Sequence, residues 1–352
     1  MSTHKQRCSL VLGFLVLLLA ACNLEGPAQE TPGDQTGSWY SIAFTDPSAP
    51  NADTYRGGPD AAMAAAMKEA RVSIDLAALE MNLWSVRDAL IDAQRRGVRV
   101  RVVVDSDNLE EDEVQDLIEA GIPVLGDRRE GLMHNKFAVI DRMEVWTGSM
   151  NFTITDGYRN NNNLIRLRSA RIAEDYTTEF EEMFVDDLFG PDVRQATPYA
   201  EVKVEDTLVE VLFSPDDGVS SRLVELLAGA QESIQFLAFS FTSNDLADVL
   251  IERASAGVRV VGVMDAGQVE SNTGGEFERF RKSNIEVYLD GNENKMHHKI
   301  FIIDDKIVVA GSYNFSMSAE TRNDENILIL HSQDIARTYS DEFERIIQAA
   351  ER

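Results

Sequence analysis

Two periods of hydrophobic and polar residues alternate along this chain of 352 residues. Short runs rich in β-branched residues, such as VRVRVVV from Val98 and KIFIID from Lys299, are typical of buried strands. Segments between them carry apolar residues three or four positions apart, which predicts amphipathic helices. This alternation favours a layered α/β fold.

Turn and capping residues mark where three of these helices begin or end. Pro59 can occupy the first turn of one helix. Ser85 can cap a second helix that ends at Gly97, and Asn244 can cap a third that ends before Gly257.

The chain repeats itself. The segment ARVSIDLAAL, which starts at Ala70, recurs as AQESIQFLAF from Ala230, and MHNKFAVID recurs as MHHKIFIID. The second copy has three extra residues between Asp265 and Ile285. We therefore expect two homologous α/β units that arose by duplication.

The repeats and the composition around them set the expected domains. The two units should cover residues 38–190 and 208–352, with a linker over residues 191–207. Residues 22–37 are rich in Pro, Gly and polar residues, which predicts a flexible tether. Residues 1–21 have basic residues before an apolar run, as an export signal does.

The end of the export signal predicts a lipid anchor. Leu19-Ala20-Ala21-Cys22 resembles the lipobox of bacterial lipoproteins, in which the cysteine is lipidated; an ordinary cleaved signal is the alternative. We expect an exported protein that is anchored to the bacterial cell envelope through Cys22. The one other cysteine, Cys8, would leave with the signal, so no disulfide is expected.

Two copies of one polar motif stand at matching places in the repeats. Their identical spacing makes coincidence a poor explanation. The first consists of His134, Lys136, Asp141, Ser149 and Asn151, and the second of His297, Lys299, Asp304, Ser312 and Asn314.

Strand geometry assigns roles to these residue types. A histidine and a lysine two positions apart on a strand share one face, so the two pairs can surround one phosphate. Ser149, Asn151, Ser312 and Asn314 can then donate hydrogen bonds to its oxygens. Asp141 and Asp304 should point away from the histidines and have a structural role, with a buried Arg or Lys as a candidate partner.

These motifs resemble the paired HKD motifs of the phospholipase D superfamily, and the resemblance covers nearly all of the chain from residue 39. It implies two α/β sandwich halves related by a pseudo-two-fold axis, with both motifs at one cleft. It also implies phosphodiester hydrolysis or exchange through a phosphohistidine, without a metal or another cofactor. An oligomer is not required for such a site.

The two halves differ downstream of the motifs. Glu325 stands where this family commonly has a carboxylate that supports the histidine, and Asn162 stands at the matching position of the first half. We expect Glu325 to keep His297 protonated as the general acid, because a neighbouring carboxylate favours imidazolium. Asn162 should orient neutral His134, the expected nucleophile.

A zinc site is the main alternative for the histidines, because His297 and His298 are adjacent. Neighbouring strand residues face opposite sides, and only His331 remains once His4 leaves with the signal. We therefore expect no metal and no nucleotide cofactor.

The substrate is less defined than the reaction. We expect a phospholipid at a membrane surface, with an exported endonuclease or a phosphatidyltransferase resembling cardiolipin synthases as alternatives. The formal charge of −27 counts against nonspecific nucleic-acid binding. A cluster of arginines from Arg95 to Arg101 is interpreted as a solvated face. Phe239 and Phe241 are interpreted as core residues, with an acyl groove as the alternative.

Overall fold

The computed structural model describes residues 35–50 and 52–350. The export signal, most of the tether and Cys22 therefore lie outside the described residues. The first strand, Gln35–Thr36, falls inside the range predicted as tether. Along the described part of the chain, no helix has both the length and the apolar character needed to span a bilayer.

Strands and helices alternate through both halves, as the hydrophobic pattern predicted. The strands are β1 (Gln35–Thr36), β2 (Tyr40–Phe44), β3 (Ser73–Ala78), β4 (Arg99–Val104), β5 (Val124–Gly126), β6 (Lys136–Ile140), β7 (Glu144–Gly148), β8 (Asn163–Arg168), β9 (Glu201–Val204), β10 (Thr207–Ser214), β11 (Ser233–Ala238), β12 (Arg259–Met264), β13 (Glu286–Leu289), β14 (Lys299–Ile303), β15 (Ile307–Gly311) and β16 (Glu325–His331). The α-helices are α1 (Pro59–Glu69), α2 (Trp84–Arg95), α3 (Asp112–Glu119), α4 (Ile154–Tyr158), α5 (Ala170–Phe184), α6 (Val219–Ala228), α7 (Asn244–Ser255), α8 (Ala266–Ser271), α9 (Phe277–Lys282), α10 (Met317–Thr321) and α11 (Gln333–Ala349).

Each half folds around its own mixed sheet. The first has the order β1-β2-β8-β7-β6-β3-β4-β5, and the second, started from its opposite edge, has the order β9-β10-β16-β15-β14-β11-β12-β13. In both sheets the last three strands are parallel and the other neighbours are antiparallel. The two orders match strand for strand, which confirms two homologous α/β halves.

Helix boundaries confirm one of the three capping predictions. The first helix does begin at Pro59. Ser85 is wrong as a cap because it lies inside α2, where its hydroxyl donates to Asp60 over 2.5 Å. For α7 the cap is Ser243, one residue before the predicted Asn244. The segment predicted as a linker contains β9, which pairs with β10.

The two halves share one apolar core in addition to a core of their own. The shared core holds α5 and α11 against both sheets. Tyr176 of α5 packs edge-on against Phe213 of the second half at 5.1 Å, and Tyr339 of α11 packs against Phe44 of the first half at 5.2 Å. These reciprocal pairs, each worth about 1 kcal/mol beyond the buried area, fix the pseudo-two-fold relation.

Asp141 and Asp304 directly follow β6 and β14, at the ends far from the histidines, as the predicted structural role requires. Strand parity is not the reason, because both strands end one residue earlier and both residues have a positive φ. The expected buried cation partner is wrong, because both carboxylates accept backbone N–H groups. The donors are Arg71, Val72 and Ser73 for Asp141, and Gln231, Glu232 and Ser233 for Asp304.

The substitution Asp304→Asn should cost stability and leave catalysis nearly unchanged. Burial raises the pKa of Asp304, but the backbone donors outweigh it and leave the pKa below its usual value. The stabilisation from this carboxylate is thus present above its unfolded pKa and is lost as pH falls through the folded pKa.

We expect a loss of about 1 to 2 kcal/mol at pH 7, measured by urea unfolding. The stability difference between the variant and the parent should shrink below pH 4. A stable variant with activity as low as that of His297→Ala would contradict the structural role.

Candidate active site

Backbone pairing between the halves brings the two motifs together. The residue before each motif histidine forms a parallel bridge with the opposite half, Met133 with Asp324 and Met296 with Asn161. The N–H of His134 donates to the carbonyl of Asp324 over 3.0 Å, and the N–H of His297 donates to that of Asn161 over 2.9 Å. Both predicted histidines therefore stand at one junction, as expected.

Glu325 contacts His134, not His297. Its Oε2 lies 2.6 Å from Nδ1 of His134, and it also accepts the hydroxyl of Ser312 over 2.7 Å. The predicted pairing of Glu325 with His297 is therefore wrong. β16 belongs to the second half, but its first residue lies at the junction and faces the first histidine.

The second histidine has a composite partner. Nδ1 of His297 lies 3.0 Å from Oδ1 of Asn162 and 3.3 Å from Oδ1 of Asp156. The predicted pairing of Asn162 with His134 is wrong for the same geometric reason. Asn162 in turn accepts the hydroxyl of Ser149 over 2.9 Å. In both rings Nδ1 faces an oxygen acceptor, so we expect the neutral ring to have its proton on Nδ1 and its lone pair on Nε2.

Both lysines are buried beside the histidines. Nζ of Lys136 donates to the carbonyl of His134, and Nζ of Lys299 to that of His297, each over 2.7 Å. Burial lowers the pKa of Lys136 to about 8. Burial, and next the charge of Lys136, holds the pKa of Lys299 well below its usual range. An anion placed between these lysines would favour their charged forms and so raise both pKa values.

Burial keeps both imidazoles neutral in the free protein. It lowers the pKa of His297 to about 3, with the charge of Lys299 acting in the same direction and Asp156 against it. Burial also lowers the pKa of His134, which Glu325 partly offsets. Each histidine is still 5% exposed, so a substrate atom can reach the ring.

The predicted hydrogen-bond donors divide into two groups. The hydroxyls of Ser149 and Ser312 are fully buried and already donate to Asn162 and Glu325, so they position the histidine partners and do not face a phosphate. Nδ2 of Asn151 donates to Asp156 over 3.0 Å. Asn314 is half-buried, and it stays a predicted donor to a phosphate oxygen.

The middle residue of each motif points into the protein. Asn135 donates to Glu179 of α5 over 2.9 Å, and Nε2 of His298 lies 2.9 Å from Glu342 of α11. The rings of His297 and His298 therefore face different partners, as strand parity predicted. Among residues 35–50 and 52–350, no three His, Cys, Asp or Glu side chains converge as metal ligands would.

Sequence reasoning misassigned one residue of this site, Phe239, and missed another, Asp156. Phe241 is buried core as interpreted, but Phe239 is half-buried at the site, with its ring 4.6 Å from that of His297 and 4.8 Å from Nζ of Lys299. A column-by-column comparison of the repeats would have found Asp156, because Ala319 occupies its position in the second half.

The sequence matches the family described as cardiolipin synthase, PLD-like domain, over residues 63–184 and 223–347. It is 32% identical over 173 residues to a mitochondrial cardiolipin hydrolase from Xenopus laevis, a match that covers 46% of this chain and 82% of that protein. It is 38% identical over 131 residues to a phospholipase D from Rickettsia prowazekii (strain Madrid E), covering 37% of this chain and 63% of that protein.

A solved structure shares the fold over nearly the whole chain. The structure of a phosphatidylserine synthase from Haemophilus influenzae Rd KW20 matches with a TM-score of 0.64 and 15% identity, covering 88% of this chain and 87% of that chain. At this identity the likeness shows the fold alone.

Glu325→Gln should lower kcat on a chromogenic phosphodiester about 10- to 100-fold. The amide keeps the shape of Glu325 but removes the negative charge at Nδ1 of His134. The matched control is Glu320→Gln, because Glu320 accepts Tyr313 and Ser220 and touches neither histidine. Equal kcat values for the two variants would show that the carboxylate at His134 has no catalytic effect.

Proposed function

The chain belongs to the phospholipase D-like domain family, and we propose that it is a hydrolase that cleaves the head-group phosphodiester of phospholipids through a phosphohistidine. The observation that carries this proposal is the pair of buried imidazoles from opposite halves, each with Nδ1 held by an acceptor and two lysines beside them. One ring can attack phosphorus while the other protonates the leaving oxygen.

His134 is the nucleophile in this proposal. Its Nε2 lone pair forms the bond to phosphorus, and the bond from phosphorus to the head-group oxygen breaks. The attack makes the ring cationic, and the carboxylate of Glu325, 2.6 Å from Nδ1, compensates that charge. The same assignment was expected from the sequence, but for a different reason, because Glu325 was placed beside His297.

His297 is the general acid and then the general base. Burial, and next the charge of Lys299, lowers the pKa of His297 in the free protein. In the complex with substrate, the phosphate anion favours the charged form of the ring, which gains a proton at Nε2. That proton goes to the departing head-group oxygen. Neutral His297 next takes a proton from water, the hydroxide attacks phosphorus, and the bond to His134 breaks.

The lysines bind the phosphate and lower the cost of its charge. Lys136 and Lys299 donate to the histidine carbonyls and have N–H groups left for phosphate oxygens. Because they lie in a nearly dry site, their attraction for developing negative charge is stronger than it would be in water.

Phospholipid is favoured as the substrate by the relatives and by the charge. The named activities of two relatives are cardiolipin hydrolase and phospholipase D. The chain's formal charge of −27 disfavours the long phosphate backbone of nucleic acid. An exported endonuclease and a phosphatidyltransferase remain the alternative outcomes of the substrate test.

Purified protein that lacks residues 1–34 should release head groups from phospholipid vesicles and leave plasmid DNA intact. Activity should be unchanged by excess chelator, because the lysines supply the positive charge. Mass spectrometry of the lipid products and gel electrophoresis of the plasmid measure the two reactions. Plasmid cleavage without lipid hydrolysis would replace this proposal with the nuclease, and lipid exchange onto added glycerol would replace it with the transferase.

A slow phosphodiester substrate should leave phosphate on His134. The expected result is a phosphopeptide that contains His134, and its amount should increase in His297→Ala with an activated leaving group, because that variant lacks the base for the second step. Peptide mass spectrometry under alkaline conditions measures it. Phosphate on His297 in the parent protein would reverse the two roles.

We also propose that Cys22 anchors the protein to the cell envelope. Acyl chains at one cysteine are sufficient for stable attachment when several are present. Cys22→Ala should lose acyl labelling and leave the membrane fraction. The measurement is metabolic labelling with a fatty acid followed by fractionation, and unchanged membrane association without label would contradict the anchor.

A further inference from the structure

At two matched positions of the internal repeat, the two halves have their carboxylate in different places. Where the second half has Ala319 and Glu325, the first half has Asp156 and Asn162. Each half thus contains one carboxylate for the histidine of the other half. The carboxylate of the second half, Glu325, is the first residue of β16. The carboxylate of the first half, Asp156, lies on α4, and Asn162 follows that helix.

The surroundings of Asp156 keep it ionised although it is 4% exposed. Oδ1 accepts Nδ2 of Asn160 and of Asn162 over 3.0 and 2.8 Å, and Oδ2 accepts Asn151 and Thr153, each over 3.0 Å. Burial raises the pKa of Asp156, but His297 and these donors outweigh it and leave the pKa far below its usual value.

Asn162 connects this charge to the histidine. Its Nδ2 donates to Asp156, which turns its Oδ1 toward Nδ1 of His297. Ser149 donates to the same Oδ1 and fixes the amide further. The negative charge therefore reaches His297 both directly, at 3.3 Å, and through an oriented neutral amide.

We propose that Asp156 is a positioning residue for His297 and that, with Asn162, it replaces the single carboxylate that Glu325 provides for His134. This role rests on the proposed phosphodiesterase function. The longer contact provides weaker support than Glu325 gives. Weaker support suits His297, because this ring must release its proton to the leaving oxygen. His134 needs stronger support, because it forms a covalent bond to phosphorus and becomes fully charged.

The test moves the carboxylate within the first half. Asp156→Ala should lower kcat on a chromogenic phosphodiester about 10- to 100-fold. The double variant Asp156→Ala with Asn162→Glu gives the first half the residues of the second half. The kcat of this double variant should be at least tenfold higher than that of Asp156→Ala.

The alkaline limit of the pH profile of kcat should lie at higher pH in the double variant than in Asp156→Ala. The reason is that a carboxylate at position 162, in contact with Nδ1, strengthens proton binding at His297. The charged groups that act on this ring are Asp156, Lys136 and Lys299. Since the lysines are unchanged, a shift reports the relocated carboxylate.

Two controls separate positioning from folding. Asp60→Asn removes another buried carboxylate, which accepts Tyr158 and Ser85 but lies away from the histidines, and it should lower the melting temperature without moving the pH profile. Ala319→Asp with Glu325→Asn makes the reverse exchange in the second half, and it should be more active than Glu325→Asn alone.

A double variant no more active than folded Asp156→Ala would overturn the proposal, as would full activity in Asp156→Ala. If Asp156→Ala does not fold, the double variant decides: activity within tenfold of the parent supports the role, and a loss above 100-fold overturns it. Nitrogen NMR of the parent, with His297→Gln for assignment, is independent of activity. A proton on Nδ1 of His297 supports the role even on a protein without phosphodiesterase activity, and a proton on Nε2 contradicts it.

Discussion

The active site depends on an exchange of partners across the two halves. Each motif histidine comes from one half, and the group that contacts its Nδ1 comes from the other, with Glu325 at His134 and Asn162 at His297. Neither half can orient its own ring. The shared core and the backbone bridges before each histidine therefore set the distance between a ring and its partner.

The same arrangement explains how so many ionisable groups are tolerated in a nearly dry site. Burying one unpaired charge costs several kcal/mol. Here two lysines and two carboxylates lie at the junction beside two histidines that burial keeps neutral. Burial lowers the pKa values of both lysines, and a phosphodiester anion between them would favour their charged forms. Substrate binding should therefore favour the protonated, charged forms of Lys136 and Lys299, which burial disfavours in the free protein.

Local rules predicted what depends on one strand or one helix. Spacing predicted that Lys136 lies beside His134, whose carbonyl accepts its Nζ, and that Asp141 lies away from both. The match of the two repeats predicted the duplicated α/β fold, and the resemblance of the paired motifs to those of the phospholipase D superfamily indicated the family. Local rules failed where a distant segment decided the outcome, as at Ser85, whose hydroxyl is taken by Asp60 of another helix.

The largest error had the same origin. Position in the sequence could identify Glu325 as a histidine partner, but not which histidine it would face, because that depends on how the two sheets meet. Asp156 was missed because its neighbours in sequence resemble an ordinary helical turn. Its importance depends on Asn162 six residues later and on His297 in the other half.

A crystal structure with orthovanadate bound would show whether the two halves build one phosphate site. We expect one vanadate per chain between Nε2 of His134 and Nε2 of His297, within reach of both lysines, with Glu325 on Nδ1 of His134. Vanadate held by one half alone, or Glu325 turned to His297, would contradict a single site built by exchange between the halves.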